Sequence, residues 1–595
     1  MFQSYTSTAN PEQGPPRLKS LRAAIADAGL DAFLVPRADR HQGEYVAPAD
    51  DRLAWLTGFT GSAGFAAVTA DIAGVFVDGR YRLQVRAQVA EDFTPVDWPE
   101  VKLGPWLVEN LTKGATVGFD PWLHSKDDIT AIEKAAKGHV TLVPSPNLID
   151  EIWSDRPALP AEPARAHPIE LSGEKSGDKR DRIAKLLLEA GQKAAVLTLP
   201  DSICWLLNIR GSDIQRNPVV QAFAILHDTG RVSLFSDLSK FEALGPDPHI
   251  DQFDWSEFAA QLRKLQGPVR VDRKTAPLAV ATILEEAGID IAWAEDPCIL
   301  PKARKNAAEI EGMRAAHLRD GVAVVEFLAW FDREAPKGGL TEIDAAKALE
   351  GYRAGSNSLM DISFDTISGA GPNGAIIHYR VTDETNRAIG DGDLYLVDSG
   401  GQYLDGTTDI TRTIAVGTPT DEQRACYTRV LQGMIAISQA RFPRGLTGRD
   451  IDALARAALW RAGLDYDHGT GHGVGAYLSV HEGPQRISRM TDVKLEPGMI
   501  LSNEPGYYRP GAFGIRIENL IVVREAEKIG DKRDQLDFET LTFAPLDRRL
   551  IATEMLGPWE RDWIDAYHAA VRAALEGRLS PEAETWLDAA TRPLA

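Results

Sequence analysis

The stretch of sequence that decides the fold of the C-terminal half lies at residues 468–484 and reads HGTGHGVGAYLSVHEGP. It contains three histidines, His468, His472 and His481, and a glycine lies on each side of His472. Glycine lets a backbone approach a site closely and adopt left-handed conformations, so His472 can present a ring nitrogen to a metal ion. A lone histidine is more often a satisfied core residue, but three in one glycine-rich segment favour a metal site.

Upstream of this segment, residues 395–417 read YLVDSGGQYLDGTTDITRTIAVG, which predicts two strands joined by a glycine-rich turn. Asp398 ends the first strand and Asp409 lies in the second. On an antiparallel hairpin such a pair can face each other, which is unfavourable unless a cation lies between the two carboxylates. The alternative is that one of them is a turn aspartate, as Asp405 is expected to be.

Downstream, residues 499–523 read MILSNEPGYYRPGAFGIRIENLIVV and predict a second hairpin that carries Glu504 and Glu518. A buried carboxylate needs a compensating partner, and Arg516 is the alternative to a metal ion. Four carboxylates and one imidazole form a hard, oxygen-rich ligand set that suits a pair of Mn²⁺, Co²⁺ or Zn²⁺ ions. Bridging carboxylates are typical of two-metal sites.

The N-terminal half contains an internal repeat. Residues 18–35, LKSLRAAIADAGLDAFLV, match residues 181–198, DRIAKLLLEAGQKAAVLT, with Gly29 and Gly191 at equivalent helix ends. Each copy continues to an apolar run that ends in aspartate, AGVFVDGR or RVSLFSDL. The repeat predicts two copies of an α/β module. A third unit begins at Asn306, which reads as a helix N-cap.

Composition limits the remaining possibilities. A chain of 595 residues is too long for one hydrophobic core. Its formal net charge of -21 argues against nucleic acid and anionic membranes as partners. The three scattered cysteines favour a reducing compartment. With no signal peptide or membrane span evident in the sequence, we expect a soluble, cytoplasmic protein.

The order Asp, Asp, His, Glu, Glu resembles the ligand set of the pita-bread metallopeptidases, which include methionine aminopeptidase, prolidase and aminopeptidase P. The segments VDSGGQY, DGTTDITRT, GTGHGVGAYLSVHEGP, NEPGYY and FGIRIEN are similar to the long, three-domain form of aminopeptidase P. The resemblance extends to DGRY at 78–81 and to the C-terminal helix, and so covers nearly the whole chain beyond residue 16. It implies an α/β (α+β) fold with two related creatinase-like N-terminal α/β domains (17–158 and 159–303), a pita-bread catalytic domain (304–545) and a C-terminal helical extension (546–595). Residues 1–16 are polar and proline-rich, and we expect a disordered tail there.

The same resemblance implies a role for each site residue. Asp398 would chelate one metal ion, Asp409 and Glu518 would bridge the two, and His472 and Glu504 would hold the other. A hydroxide between the ions would be the nucleophile, and Glu504 would shuttle its proton to the leaving nitrogen. The resemblance also assigns a substrate-binding set: Arg80, His378, His468 and His481. Of these, His378 and His481 would also act in catalysis by stabilising the tetrahedral intermediate.

The implied activity is hydrolysis of the N-terminal X-Pro bond in peptides with proline at the second position. The implied cofactors are two divalent ions per subunit, with Mn²⁺ expected and Zn²⁺ or Co²⁺ as alternatives, and the implied assembly is a homodimer. The nearest alternative is a prolidase-type X-Pro dipeptidase. A metal-free, creatinase-like hydrolase and a non-enzymatic binding module are further alternatives, and retention of all five ligands argues against both.

Overall fold

The computed structural model describes residues 1–530 and 532–594, which form two compact units. One unit, here called the N-terminal unit, is Thr8–Lys302. The other, which contains the predicted catalytic domain and is here called the catalytic unit, combines Met1–Ser7 with the chain from Ala303 onward. Within the described ranges, no helix has both the length and the apolar content that crossing a membrane requires.

The first module of the N-terminal unit is a six-stranded sheet with the order β4-β3-β2-β1-β5-β6. Helix α1 ends at Asp27, and Gly29 follows with a φ of 67°, a conformation that favours glycine. The apolar end of the first repeat copy forms β1, whose first four residues are buried. The strands are β1 (Ala32–Pro36), β2 (Phe65–Thr69), β3 (Ala73–Val77), β4 (Thr94–Asp97), β5 (Thr116–Phe119) and β6 (Thr141–Pro144), and the helices are α1 (Gly14–Asp27), α2 (Arg52–Thr57), α3 (Arg82–Gln88), α4 (Leu103–Asn110), α5 (Lys126–Ala136) and α6 (Leu148–Ile152).

The second module repeats this topology with the order β12-β11-β10-β8-β13-β14. In both sheets the central strand pairs antiparallel on one side and parallel on the other, β1 with β2 and β5, and β8 with β10 and β13. The predicted duplication is therefore confirmed. The strands are β7 (Arg165–Ala166), β8 (Ala194–Leu197), β9 (Ile209–Arg210), β10 (Phe223–His227), β11 (Val232–Phe235), β12 (Ile250–Phe253), β13 (Val269–Val271) and β14 (Ile291–Trp293), and the helices are α7 (Ile169–Ser172), α8 (Ser176–Glu189), α9 (Pro200–Leu207), α10 (Phe258–Leu262), α11 (Leu278–Glu286) and α12 (Ile299–Ala303).

The catalytic unit begins with the long helix α13, which starts as predicted. The Asn306 side chain caps it, and the Glu309 carboxylate accepts from the Asn306 amide. Its helices are α13 (Ala307–Glu334), α14 (Glu342–Ala354), α15 (Asp421–Ser438) and α16 (Gly448–Trp460), and its strands are β15 (Leu359–Ile362), β16 (Ile367–Ala370), β17 (Leu394–Ser399), β18 (Gly401–Tyr403), β19 (Gly406–Thr407), β20 (Ile410–Ala415), β21 (Phe442–Pro443), β22 (Gly471–Gly473), β23 (Glu482–Ile487), β24 (Ile500–Asn503), β25 (Gly506–Arg509), β26 (Phe513–Arg516), β27 (Asn519–Ala526) and β28 (Gln535–Thr540).

Each predicted hairpin of this unit is more elaborate than a pair of strands with one turn. β17 pairs antiparallel with β20, but β18 and β19 between them belong to a separate small sheet with β15. In the same way β24 pairs with β27, while β25 and β26 between them form their own two-stranded ribbon. The four carboxylates predicted as metal ligands lie at or next to the ends of β17, β20, β24 and β27 that border these insertions.

The C-terminal region consists of α17 (Pro558–Leu575) and α18 (Pro581–Ala590). Ile564, Tyr567 and Val571 are buried in the same hydrophobic cluster as α15. The C-terminal extension is helical, as the resemblance implied, and one face of α17 packs on the core, whereas Trp559 near its start is 50% exposed.

The expectation of a disordered tail at residues 1–16 is corrected by the structure. Gln3 and Tyr5 are buried in the catalytic unit, and α1 already begins at Gly14. The polar, proline-rich composition suggested disorder because such a segment cannot build a core of its own. It is ordered here because it packs on a core that other elements supply.

Candidate metal centre

The pairing of β17 with β20 positions the first two carboxylates. Asp398 lies opposite Thr411, and Asp409 lies two residues before Thr411 in the chain. The Thr411 hydroxyl donates to Glu518 Oε2 at 2.8 Å, and the Glu518 amide donates to the Thr411 carbonyl at 3.1 Å. Thr411 therefore joins the strand pair that carries the aspartates to Glu518.

The pairing of β24 with β27 positions the two glutamates. Asn503 lies opposite Asn519, and Glu504 and Glu518 are the next residues outward from this pair. The Glu504 amide donates to the Thr470 carbonyl at 2.8 Å, which ties the end of β24 to the glycine-histidine segment. The second strand pair thus places both glutamates beside β22, the strand that carries His472.

The potential ligand atoms form three overlapping groups. In each group, one ligand atom from every member lies within 4.8 Å of those of the other members. The groups are Asp398, Asp409 and Glu518; His472, Glu504 and Glu518; and Asp409, His472 and His481. Two neighbouring centres that share carboxylates are the arrangement that a bridged pair of ions requires. The structure brings all five predicted ligands together and adds His481 to them.

His472 is oriented as a metal ligand. Its Nδ1 lies 2.9 Å from the Gly473 carbonyl, which can only accept, so Nδ1 carries the hydrogen and Nε2 points away. Nε2 lies 3.3 Å from Asp409 Oδ2 and 3.5 Å from Glu504 Oε1. A side chain at Gly471 would collide with the Ser502 carbonyl, since a Cβ there would lie 1.9 Å from that oxygen. The glycines therefore allow β22 to lie against β24.

The electrostatics of the site favour the binding of cations. Burial raises the pKa of Asp398 to about 6 despite the opposing effect of Arg516. Burial and the neighbouring charges of Asp409 and Glu504 raise the pKa of Glu518 well above its usual range. Among the described residues, Asp398 Oδ1 is buried and has no hydrogen-bond partner. Buried, mutually repelling carboxylates with an unsatisfied oxygen are the donor set that divalent ions neutralise.

Loading the site with metal is expected to release protons near neutral pH. Burial alone would lower the pKa of His472, but the hydrogen bond to Asp409 and the charge of Glu504 raise it to about 9. His472 must therefore lose a proton when it becomes a ligand, so metal affinity should weaken as the pH falls below about 9, and more steeply below about 6, where Asp398 also takes up a proton. Calorimetric titration of Mn²⁺ into chelator-stripped protein should show release of about one proton or more per subunit. Equal heats in buffers of different ionisation enthalpy would contradict this.

A chain of hydrogen bonds that the sequence did not predict runs from the buried Asp398 and Arg516 to the half-buried Tyr508 and His468. Arg516 donates from Nη2 to Asp398 Oδ2 at 2.6 Å and from Nη1 to the Tyr508 hydroxyl at 2.7 Å. That hydroxyl lies 2.8 Å from His468 Nε2, and His468 Nδ1 lies 2.8 Å from the Gly469 carbonyl. Because the carbonyl can only accept, the neutral ring carries its hydrogen on Nδ1, and Tyr508 donates to Nε2. The alternative in which Arg516 pairs with a glutamate of its own hairpin is wrong.

The other predicted substrate-side residues lie in different surroundings. The His481 ring packs edge-on against His472 with centroids 4.4 Å apart. His378 is half-buried in the turn that follows β16. Arg80 belongs to the N-terminal unit, where it forms a two-point ion pair with Asp78 at 2.6 and 2.9 Å. His481 thus joins the metal centre directly, whereas the roles of His378 and Arg80 stay predictions.

Family comparisons account for most of the chain. Residues 17–152 and 155–309 each match the creatinase/prolidase N-terminal domain, and residues 311–525 match metallopeptidase family M24. Residues 534–594 match the C-terminal region of the M24 peptidases. The chain therefore belongs to metallopeptidase family M24, and the prediction of a hydrolase with this fold is confirmed.

Full-length relatives define the branch of that family. The chain is 37% identical to aminopeptidase P1 of Lotus japonicus over 97% of its own length and 99% of that protein. It is 39% identical to aminopeptidase P2 of Arabidopsis thaliana over 97% and 88% of the two chains. The crystal structure of the X-prolyl aminopeptidase of Caenorhabditis elegans, described as a cytosolic enzyme with a di-nuclear active site, superposes with a TM-score of 0.92 at 33% identity and covers 98% of this chain and 100% of that one. The resemblance to the long, three-domain aminopeptidase P is thereby confirmed.

Proposed function

We propose that this protein hydrolyses the N-terminal X-Pro bond of peptides with the help of two divalent metal ions. The observation that carries the proposal is the set of overlapping ligand groups built from Asp398, Asp409, His472, Glu504 and Glu518. The names of the full-length relatives support it, as does the di-nuclear active site described for the Caenorhabditis elegans enzyme.

The ligand roles are those that the resemblance implies, and the overlapping groups are compatible with them. Asp409 and Glu518 each belong to two groups and are proposed to bridge the ions; His472 also belongs to two groups, but only a carboxylate offers two oxygens for bridging. Asp398, which belongs only to the group without a histidine, would complete the ligand set of one ion. His472 and Glu504 would complete the ligand set of the other. When bound, the two ions would polarise the scissile carbonyl and lower the pKa of a water nucleophile. Mn²⁺ is the proposed native ion because most of the donors are hard oxygens.

Glu504 is proposed to carry the proton to the leaving proline nitrogen. The Ser502 hydroxyl donates to Glu504 Oε1 at 3.0 Å and accepts from the His472 amide at 2.9 Å. This contact fixes the orientation of the Glu504 carboxylate beside the metal ligands. The nitrogen of an X-Pro bond is a poor leaving group until it is protonated, so a positioned acid is required there.

The histidines outside the ligand set are proposed to face the substrate. His481 lies against His472, and Tyr508 fixes the ring orientation of His468. His481 and His378 would supply ring N–H groups to the peptide and to the oxyanion that develops on its carbonyl. His468 would contact the peptide through its ring face, because its Nδ1 hydrogen goes to the Gly469 carbonyl and its Nε2 accepts from Tyr508. Arg80 is proposed as a substrate contact by resemblance alone.

The cellular setting and assembly are proposed on similar grounds. All three cysteines are free and buried, which suits the cytoplasm, and the Caenorhabditis elegans relative is described as cytosolic. Assembly as a homodimer remains part of the proposal.

Peptide length and the residue after the scissile bond test the activity. With Mn²⁺ bound, the protein should release arginine from Arg-Pro-Pro, leave Arg-Ala-Ala nearly untouched, and lose activity on exhaustive chelation. Proline is expected to be required because its nitrogen carries no hydrogen, so the site needs no backbone acceptor at that position. A residue with an N–H would leave that donor unpaired in such a site. The comparison is made by quantifying the released amino acid. Cleavage restricted to Gly-Pro would identify a prolidase-type dipeptidase instead, and full activity after chelation would contradict the metal mechanism.

A further inference from the structure

Residues 1–7, here called the strap, are an extended segment that packs on the catalytic unit. Burial alternates along it: Gln3 and Tyr5 are 6% and 7% exposed, whereas Ser4 and Thr6 point to solvent. Two inward side chains separated by an outward one give the segment one inner face, as in a strand laid on a surface. The strap therefore has a defined inner face rather than a random path.

Two pairs of hydrogen bonds hold the strap against α14 and the residue before β16, both of which precede the metal ligands in the chain. The Gln3 side chain accepts from the Thr366 amide at 2.9 Å and donates to the Thr366 carbonyl at 3.3 Å. Thr366 directly precedes β16. The Phe2 and Gln3 amides donate to the buried carboxylate of Glu350 on α14, at 2.5 and 3.4 Å. The hydrogen bonds of Gln3 are buried and that of Phe2 is partly buried, so losing the Gln3 partners would leave buried polar groups unsatisfied.

Tyr5 extends this attachment to the loop that carries His378. Its carbonyl accepts from the Asp383 amide at 2.9 Å. Its ring lies in a buried cluster with Tyr379 and Val381, against which Ile376 packs, so the cluster holds the loop on both sides of His378.

The same cluster reaches the wall of the metal site. Tyr508, which bonds to His468 and Arg516, packs against it. The Tyr379 hydroxyl donates to Glu342 on α14 at 3.0 Å, which fixes the loop from its other side. The strap thus completes a packing unit whose remaining members flank two of the predicted substrate-side histidines.

We infer that the strap is a positioning element for the substrate-side wall, and that Gln3 and Tyr5 act on catalysis by holding the loop at residues 376–383 in place. This inference rests on the proposed function, because it takes His378 to face the peptide. The strap touches none of the five metal ligands, so its removal should alter peptide turnover without altering metal content. Tyr5 is a positioning residue in this scheme, since it acts only through the loop.

A double-mutant cycle tests the inference in the full-length, metal-loaded protein. Tyr5→Ala should lower kcat/KM for Arg-Pro-Pro by about 10–100-fold, as expected for a misplaced binding group. In a His378→Ala background the same change should add no more than about 2-fold, because the loop would have no histidine left to position. Tyr5→Phe should restore wild-type kinetics, and Thr6→Ala, on the outward face, is the matched control. Equal effects of Tyr5→Ala with and without His378 would overturn the inference.

Hydrogen exchange gives a second readout that does not depend on activity. Gln3→Ala removes two hydrogen bonds but no buried ring, so it serves even if Tyr5→Ala does not fold. In either variant the amides of residues 376–383 should exchange faster than in wild type, while those of residues 398–412 should not. Unchanged exchange at 376–383 would overturn the inference. If the wild-type protein failed to cleave X-Pro peptides while the variants showed this exchange pattern, the proposed function would be refuted. The mechanical role of the strap would still stand.

Discussion

Replacing Asp409 by asparagine is expected to remove metal binding and to lower kcat/KM for X-Pro peptides by at least about 10³-fold, because bound ions contribute several kcal/mol to the transition state. Asp409 is 3% exposed and belongs to two of the three ligand groups, so its loss affects both ions. An amide keeps the shape of the side chain but removes the negative charge that a bridging ligand supplies. Metal content per subunit and peptide turnover are the measurements.

The stability of the same variant should change in opposite directions with and without metal. In chelated wild-type protein, the charge of Asp409 contributes to the raised pKa of Asp398 and of Glu518, which indicates repulsion among the three carboxylates. Asp409→Asn removes part of that repulsion, but below about pH 9 it also removes the charge that stabilises protonated His472. Above about pH 9, where His472 is neutral, the chelated variant should therefore melt at a higher temperature than chelated wild type. In excess Mn²⁺ the order should reverse, because only wild type gains stability from binding.

Asp405→Asn is the matched control for this experiment. Asp405 lies in the same β17–β20 region but pairs with Arg319 at 2.8 and 3.1 Å, outside all three ligand groups. It should retain metal and activity. An Asp409→Asn protein that binds two ions per subunit, or that turns over peptide like the Asp405→Asn control, would contradict the proposed metal centre.

The positions of the candidate ligands could be predicted from the sequence because each has a strong local signal. Asp398 ends an apolar run, Glu504 and Glu518 interrupt apolar strands, and glycines flank His472. A charged residue in or at the end of an apolar run departs from the local pattern. A buried strand tolerates such a residue only when a partner compensates its charge. The inserted strands at 401–407 were not predicted, because a Gly-rich stretch of that length reads equally well as a turn.

The chain of hydrogen bonds through Arg516 could not be predicted, for a physical reason. Its partner Asp398 lies 118 residues earlier, and only the register of two strand pairs brings them together. Local sequence offered Glu504 and Glu518 as nearer candidates. The strap was missed for a related reason, since two inward residues, Gln3 and Tyr5, are too few to establish a period and one of them is polar.

Breaking the Arg516 pair should have the second large effect, this time on stability. Arg516 is 2% exposed, and its guanidinium donates to Asp398, Tyr508 and Thr411. Arg516→Met leaves Asp398 as an uncompensated buried charge, which costs about 3–5 kcal/mol when one partner of a buried pair is removed. The cost should be largest in chelated protein and smaller with Mn²⁺ bound, because a metal ion is a second counter-charge for Asp398. Urea unfolding with and without metal measures both values.

Two further variants separate charge from geometry at this position. Arg516→Lys keeps a positive charge, but a single ammonium cannot reproduce the fork that spans Asp398 and the Tyr508 hydroxyl. It should recover part of the stability while kcat/KM stays about 10–100-fold low, the usual cost of losing an outer partner of a metal ligand. Arg524→Met, which breaks an exposed pair with Asp537, should cost no more than about 1 kcal/mol. If Arg516→Met proved as stable as Arg524→Met in chelated protein, Asp398 would not depend on Arg516 for its charge balance. The link from the metal site through Tyr508 to His468 would then have no energetic basis.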